Sequence, residues 1–178
     1  MINRTSVDEL RPGGLIPSFK LEAATRSGYV SPWDYKGRNN LVLFFLHDAR
    51  CAACSQRLQE LAANYSEYRK LNSEVIAVAR DSAENLTELS RQIDLGFPLL
   101  SDEDGKVSDS YIGQTEGPVG SSQVNAAVFI VDRWGALFSK EMAPDADSLP
   151  KEPEIYDWLS FIEIQCPECF PPEWPEAI

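Results

Sequence analysis

The sequence is short of positive charge: 16 Lys and Arg and a single His stand against 28 Asp and Glu, a formal net charge of −12. Because phosphate groups are bound by clustered Lys and Arg, this shortage argues against nucleic acid and anionic membranes as partners. Long hydrophobic runs are also lacking, since none approaches the roughly 18 residues of a membrane span, and the first twelve residues carry no signal-peptide core. We therefore expect an intracellular, cytoplasmic protein that binds neither nucleic acid nor membrane.

Cysteine is scarce as well, but the four residues form two Cys-x-x-Cys pairs, Cys51 with Cys54 and Cys166 with Cys169. A chain of 178 residues that is 43% hydrophobic has the composition of one globular domain with a sizeable core, so it does not depend on disulfides for stability. Paired cysteines in such a chain indicate redox chemistry or metal binding. A zinc site of four thiolates and a pair of buried, inert cysteines are the alternatives to a redox pair.

The first pair follows a predicted buried strand and opens a predicted helix. Residues 41–46 are a continuous apolar run, which is typical of a central strand in a mostly parallel sheet. After a short polar turn, apolar residues recur at helical spacing: Leu58, Leu61, Tyr65 and Tyr68. The strand therefore delivers Cys51 and Cys54 to the first turn of a helix.

This position predicts reactivity for Cys51. The first N–H groups of a helix are unpaired, and the helix dipole places on the order of half a positive charge there. Arg50 adds a full positive charge beside it, and both features stabilise a thiolate. We therefore predict a reversible dithiol/disulfide, with Cys51 as the nucleophile and Cys54, one helical turn later, as the resolving partner.

The rest of the chain alternates predicted strands and helices, which is an α/β pattern. Strands at 15–21 and 29–30 are expected to form an N-terminal hairpin. Further strands are expected at 74–79, 97–100, 127–131 and 136–142, and helices at 82–96, 106–112 and 153–164. Sites in parallel sheets lie at the carboxyl ends of strands, and Cys51 falls just beyond such an end.

Several segments follow one another in a familiar order: Ile-Pro-Ser-Phe-Lys-Leu at 16–21, Trp-Asp-Tyr-Lys-Gly at 33–37, Phe-Pro-Leu-Leu-Ser-Asp at 97–102 and Ala-Val-Phe-Ile-Val-Asp-Arg-Trp-Gly at 127–135. With the Cys-x-x-Cys segment, they resemble the thioredoxin superfamily, and more narrowly its redoxin branch of AhpC/TSA peroxiredoxin-like proteins. The resemblance covers most of residues 12–142. It implies a thioredoxin-like three-layer α/β sandwich, in which a central mixed sheet is flanked by helices, with an N-terminal β-hairpin extension and an irregular C-terminal tail.

The same resemblance implies an oxidoreductase without a cofactor. Its substrate would be a protein or small-molecule disulfide or a peroxide, and a thioredoxin-like protein would donate the electrons.

The chain is expected to divide into a flexible arm at 1–12, a thioredoxin-like domain at 13–165 and a Pro-rich tail at 166–178 that packs on the domain. Cys166 and Cys169 lie in this tail. They are a second exchange couple on the same side of the domain as Cys51, half of a zinc site, or a structural disulfide, and the sequence leaves these alternatives open.

The pattern of a peroxiredoxin site, Pro-x-x-x-Thr-x-x-Cys with a later Arg, is not met here. If Cys54 is the last residue of the pattern, Pro and Thr fall on His47 and Cys51; if Cys51 is, they fall on Phe44 and Asp48. The segment before the last two strands, where the Arg is expected, has no Arg. We therefore expect little peroxide reduction at peroxiredoxin-like rates.

Three residues are expected to line the dithiol site: His47, Asp48 and Ala126. His47 is either a base or ligand, or a residue that only lines the exit of the strand. Ala126 stands where thioredoxins carry a cis-Pro opposite the Cys-x-x-Cys. A cis bond before a residue other than Pro costs about 2.5–4 kcal/mol, so we expect a trans bond and a more open site.

The leading hypothesis is therefore a thiol-disulfide oxidoreductase. A weak thioredoxin-dependent peroxidase with an antioxidant function is the alternative among enzymes. A thioredoxin-fold module that uses its cysteines only as zinc or binding ligands is the alternative from another class, and elemental analysis for zinc distinguishes it.

Overall fold

The computed structural model of the protein describes residues 10–113 and 124–165. In these ranges, seven strands form one sheet: β1 Leu21–Ala23, β2 Tyr29–Val30, β3 Asn40–Leu46, β4 Ser73–Ala79, β5 Leu99–Ser101, β6 Ala126–Val131 and β7 Leu137–Ala143. The helices of the same ranges are α1 Ala52–Lys70, α2 Ala83–Gln92, α3 Lys106–Ile112 and α4 Glu152–Ile164. Short 3-10 helices lie at Pro32–Tyr35 and Ala146–Ser148.

The strands are ordered β2-β1-β5-β4-β3-β6-β7, so β3 lies inside the sheet between β4 and β6. β4 is parallel to both β3 and β5, whereas the remaining pairs are antiparallel. The sheet is therefore mixed, as the resemblance implied. Every residue of β3 is buried. This explains the apolar run at residues 41–46, because a strand covered on both faces has no polar side.

The side chains of β3 alternate between two cores. Val42, Phe44 and Leu46 pack with residues of α1, α2 and α4 on one face of the sheet. Leu43 and Phe45 pack on the other face with α3 and the N-terminal segment. Helices on both faces of the sheet form the predicted three-layer α/β sandwich, and this arrangement is confirmed.

The N-terminal hairpin is present, but its first strand lies later than predicted. β1 pairs antiparallel with β2 and with β5. Leu15 instead forms an isolated bridge with Ala136, and the Ile16 N–H donates to the Gly135 carbonyl, so this segment runs beside the start of β7. Pro17 has no N–H and cannot continue that ladder, and the predicted strand at 15–21 is corrected to the bounds of β1.

Of the predicted flexible arm at 1–12, the structure describes residues 10–12. Leu10 is only 3% exposed and belongs to the core on the α3 side of the sheet, so this end of the arm is packed. The predicted tail at 166–178 lies outside the described residues. Within the described ranges, no helix combines the length and the apolar composition needed to cross a membrane.

Candidate active site

The first Cys-x-x-Cys pair lies at the carboxyl end of β3, at the start of α1. Cys51 is the N-cap residue of this helix, with an extended backbone (φ −69°, ψ 112°). Its Sγ atom accepts a hydrogen bond from the Cys54 N–H at 3.1 Å. This N–H belongs to the first helical turn, where backbone donors have no partner within the helix. The predicted delivery of the pair to a helix start is confirmed, and the sulfur of Cys51 occupies the place that a capping oxygen usually takes.

Cys51 and Cys54 form a disulfide with a Cα–Cα distance of 5.2 Å, which is within the usual range for such bonds. The two residues differ in accessibility, because Cys54 is only 2% exposed, whereas Cys51 is half-buried. Cys54 Sγ also accepts a hydrogen bond from the His47 N–H at 3.4 Å. Of the two sulfurs, that of Cys51 is therefore the one that a reaction partner reaches more easily.

Asp48 contacts both His47 and Arg50, two further residues predicted to lie at the dithiol site. Its Oδ2 lies 2.9 Å from His47 Nδ1, and its Oδ1 accepts a hydrogen bond from the Arg50 N–H at 2.8 Å. The His47 side chain is 54% exposed. The structure thus places His47, Asp48 and Arg50 in the loop beside the disulfide, with the His47 ring directed toward a carboxylate.

A residue that the sequence reasoning did not assign to the site, Asp81, also reaches this loop. It follows β4, and its Oδ2 accepts a hydrogen bond from the Ala49 N–H at 3.1 Å. Burial alone would raise the pKa of Asp81, but hydrogen bonds from Asn85, Ala49 and Ser82, together with the charge of Arg50, lower it. Asp81 is therefore a carboxylate at neutral pH.

A signal for Asp81 was available in the sequence. It lies two residues after the predicted strand at 74–79, and the carboxyl ends of parallel strands meet at one edge of a sheet. The cap pattern after this strand indicates only the start of a helix, so it does not by itself assign Asp81 to the site.

Ala126 lies at the first position of β6 and is 1% exposed. Its neighbour Ala127 pairs with Phe45, so β6 begins beside the end of β3. The described residues contain no cis peptide bond, and the expected trans bond at this position is confirmed. Ala126 is thus brought to the same end of the sheet as Cys51.

The second pair, Cys166 and Cys169, lies outside the described residues, and the prediction that it returns to the side of Cys51 is untested. Among residues 10–113 and 124–165, no group of three or more His, Cys, Asp or Glu side chains is arranged to hold a metal ion. The zinc alternative drew on all four cysteines, and two of these are not part of the described structure.

A mixed sheet whose central strand leads, through a short loop, to a helix capped by the first cysteine of a Cys-x-x-Cys pair is an arrangement of the thioredoxin fold. The peroxiredoxin relatives of the chain indicate an oxidoreductase. Residues 12–138 match the model of the AhpC/TSA family, and the chain belongs to this family of peroxiredoxin-like redoxins.

Comparison with individual proteins agrees with this assignment. The chain is 27% identical over 136 residues to Rv2521 of Mycobacterium tuberculosis H37Rv, a protein named as a peroxiredoxin, and the match covers 75% of this chain and 85% of that protein. It is 29% identical over 105 residues to peroxiredoxin Bcp of Escherichia coli K12, which covers 59% and 66% of the two chains. The crystal structure of peroxidoxin BcpB from M. tuberculosis superposes with a TM-score of 0.69 at 18% identity, over 88% of this chain and 99% of that one. This superposition confirms the predicted fold.

Proposed function

We propose that the protein reduces disulfides through a reversible Cys51–Cys54 pair, with Cys51 as the nucleophile and Cys54 as the resolving residue. The observation that carries the proposal is the contrast between the two cysteines. Cys51 is the accessible one and caps α1, whereas Cys54 is buried one helical turn further on. A thiolate at a helix N-terminus is stabilised by the unpaired N–H groups and the dipole, and Arg50 strengthens this effect.

The proposed reaction proceeds in two exchange steps. The Cys51 thiolate attacks one sulfur of the substrate disulfide, forms a mixed disulfide with it and releases the other sulfur as a thiolate. Cys54 then loses its proton and attacks Cys51 Sγ, which releases the second substrate thiolate and closes the Cys51–Cys54 disulfide. The substrate gains two electrons and the protein loses two. A thioredoxin-like protein is proposed to restore the dithiol.

Family membership favours a second candidate substrate, a peroxide. Here the Cys51 thiolate attacks one oxygen of the peroxide and breaks the O–O bond. That oxygen stays on the sulfur as sulfenic acid, and the other takes up a proton from solvent and leaves as water or an alcohol. Cys54 then condenses with the sulfenic acid and releases water. Because the peroxiredoxin pattern is not met, we place this reaction second and expect it to be slow.

The remaining predicted features belong to the same proposal. His47, Asp48 and Ala126 are proposed to line the dithiol site, and the protein is proposed to be cytoplasmic. Cys166 and Cys169 are proposed as a second couple that exchanges electrons with the first.

Trapping the mixed disulfide tests the proposal. In a protein that carries Cys166→Ser and Cys169→Ser, the added variants Cys54→Ser and Cys51→Ser each leave one thiol. After reaction with glutathione disulfide, mass spectrometry should show a stable glutathione adduct on Cys51 of the Cys54→Ser variant. The Cys51→Ser variant should form the adduct much more slowly, because Cys54 is buried. Equal adduct formation at both cysteines would contradict the assignment of the nucleophile.

A further inference from the structure

The loop between β3 and α1 is attached to the turn after β4. The Arg80 N–H donates to the His47 carbonyl at 2.9 Å, which continues the backbone contact of the two parallel strands. Beyond it, the Ala49 N–H donates to Asp81 Oδ2 at 3.1 Å. Ala49 lies two residues before Cys51, so this side-chain contact is close to the nucleophile in the chain.

Asp81 is itself held in place from several sides. Its Oδ1 accepts hydrogen bonds from the Ser82 N–H at 2.8 Å and from Asn85 Nδ2 at 2.7 Å, both at the start of α2. Its carbonyl accepts from Ser101 Oγ at 2.7 Å, which connects it to β5. The carboxylate therefore has little rotational freedom to lose when it binds Ala49, and preorganised acceptors of this kind position their partners well.

We propose that Asp81 is a positioning residue for the Cys51–Cys54 pair. By fixing the Ala49 N–H, it holds the loop so that Cys51 stays in the N-cap position, 5.2 Å by Cα from Cys54. Two thiols kept at disulfide distance in the dithiol form close the bond more readily than thiols on a mobile loop. Asp81 thus favours the disulfide form, and it does so without touching either sulfur or the substrate. This inference rests on the proposed redox role of the pair.

The equilibrium with glutathione measures this effect directly. Oxidation of the dithiol by one glutathione disulfide yields the Cys51–Cys54 disulfide and two glutathione thiols, so electrons and protons balance. In the Cys166→Ser/Cys169→Ser background, Asp81→Ala should lower this equilibrium constant about threefold or more, the effect of losing one net hydrogen bond. Asp81→Asn replaces one carboxylate oxygen by an NH2 donor. Since Ser82 and Asn85 both donate to Oδ1, the remaining oxygen should stay on their side and the NH2 should face the Ala49 N–H, so this variant should lower the constant as well. The shift should persist in about 1 M NaCl, which screens charges over about 3 Å.

Ser82→Ala is the matched control. It removes the N-cap of α2, in which Ser82 Oγ accepts from the Asn85 N–H at 3.2 Å, but it leaves the contact with Ala49 intact. Both Ser82→Ala and Asp81→Ala should lower the urea midpoint of unfolding, but only Asp81→Ala should change the glutathione equilibrium.

The outcomes separate this inference from the proposed function. If the wild-type pair fails to equilibrate with glutathione, the redox function is wrong. If it equilibrates and Asp81→Ala has the wild-type constant, or Ser82→Ala shifts it equally, then Asp81 has only a structural role. If the shift disappears in about 1 M NaCl, the charge and not the bond to Ala49 is responsible, and the positioning role is again overturned.

Discussion

The backbone N–H of Cys54 donates to the Sγ atom of Cys51 at 3.1 Å, so the two cysteines are joined by a helix-capping hydrogen bond as well as by their disulfide. A cap oxygen in this position stabilises a helix by accepting an otherwise unpaired donor. A sulfur gains from the same donor when it becomes a thiolate. The start of α1 thus serves both the fold and the proposed chemistry.

Alkylation of the reduced protein at pH 6 should be fast at Cys51. An ordinary thiol, with a pKa of about 8.5, is less than about 1% thiolate at this pH, whereas a thiolate at a helix N-terminus is favoured. In the Cys166→Ser/Cys169→Ser background, adding Cys51→Ser should lower the iodoacetamide rate by about tenfold or more. Adding Cys54→Ser instead should leave the rapid alkylation of Cys51 unchanged. If a thiol of the Cys51→Ser variant reacts as fast as wild type, the assignment is wrong.

Hydrogen peroxide should react slowly with the reduced protein. The positions of the family's Pro and Thr are not filled by these residues in either register, and the expected Arg is missing. We expect a stopped-flow rate constant well below about 10⁶ M⁻¹s⁻¹. A constant of about that size is typical of an efficient enzyme. Reduction of a disulfide substrate should remain measurable in the same preparation. Peroxide turnover at or above that rate would show that this chain activates peroxide by other residues.

Asn40 should be important for stability, although it lies far from the dithiol. It is fully buried, its Nδ2 donates to Glu163 Oε1 at 2.7 Å, and its Oδ1 accepts from the Arg133 N–H at 2.9 Å. Asn40→Ala leaves the Arg133 N–H without this acceptor, so the free energy of unfolding should fall by about 1–3 kcal/mol in urea titrations. Lys70→Ala, on a side chain that is 69% exposed, is the control and should change it by less than about 0.5 kcal/mol. Similar losses in both variants would refute the role of Asn40.

Elements with local signals were predicted closely. The helix predicted at 106–112 is α3, because Gly105 and Gly113 flank it with φ values of 70° and 94°, which favour glycine. The short helix at Pro32–Tyr35 has equally local causes, because the Ser31 side chain accepts from the Trp33 N–H and proline is favoured at the first helical position. In each case the helix begins or ends at residues whose own backbone or side chain favours a helix end, so no distant contact is needed to place it.

Elements that depend on distant packing were predicted less well. α2 was expected to continue to Gly96 but ends at Gln92, since Ile93 takes an extended conformation and is only 5% exposed. Burial of the Ile93 side chain in the core thus ends the helix before Gly96, the residue at which its end was predicted. The contact between Ala49 and Asp81 was also missed, because it spans 32 residues and depends on the register of two parallel strands.

The contribution of Asp81 to stability should depend on pH. Its pKa in the folded protein is below the ordinary value of 3.8, so it stabilises the fold above about pH 4 and loses this effect as the pH falls through the lower folded value. The difference in unfolding free energy between wild type and Asp81→Asn should therefore be constant from pH 7 to pH 5 and shrink toward pH 3. Asp94→Asn, at an exposed position, is the control. A difference that stays unchanged down to pH 3 would contradict the folded-state pKa.

Arg57 should be the most sensitive charged residue of α1. It is fully buried, although the helical pattern predicted only apolar residues on the inner face. Its Nη1 lies 3.3 Å from Glu60 Oε2, on the same helix, and 3.8 Å from Glu152 Oε1. Its Nη2 donates to the Pro150 carbonyl, and its guanidinium lies 5.3 Å from the Phe44 ring centroid. It therefore connects α1, which carries the dithiol, to the start of α4.

Replacing Arg57 by Met keeps much of the side-chain volume but removes the cation beside Glu152, whose side chain is only 14% exposed. Breaking a buried ion pair from one side costs about 3–5 kcal/mol, so Arg57→Met should lower the free energy of unfolding by this amount in urea. Adding Glu152→Gln should recover part of the loss, because the unpaired carboxylate is then removed. Arg91→Met, on a side chain that is 71% exposed, should cost less than about 0.5 kcal/mol. If Arg57→Met is as mild as Arg91→Met, or if Glu152→Gln adds to the loss instead of reducing it, the pair does not hold α1 and α4 together.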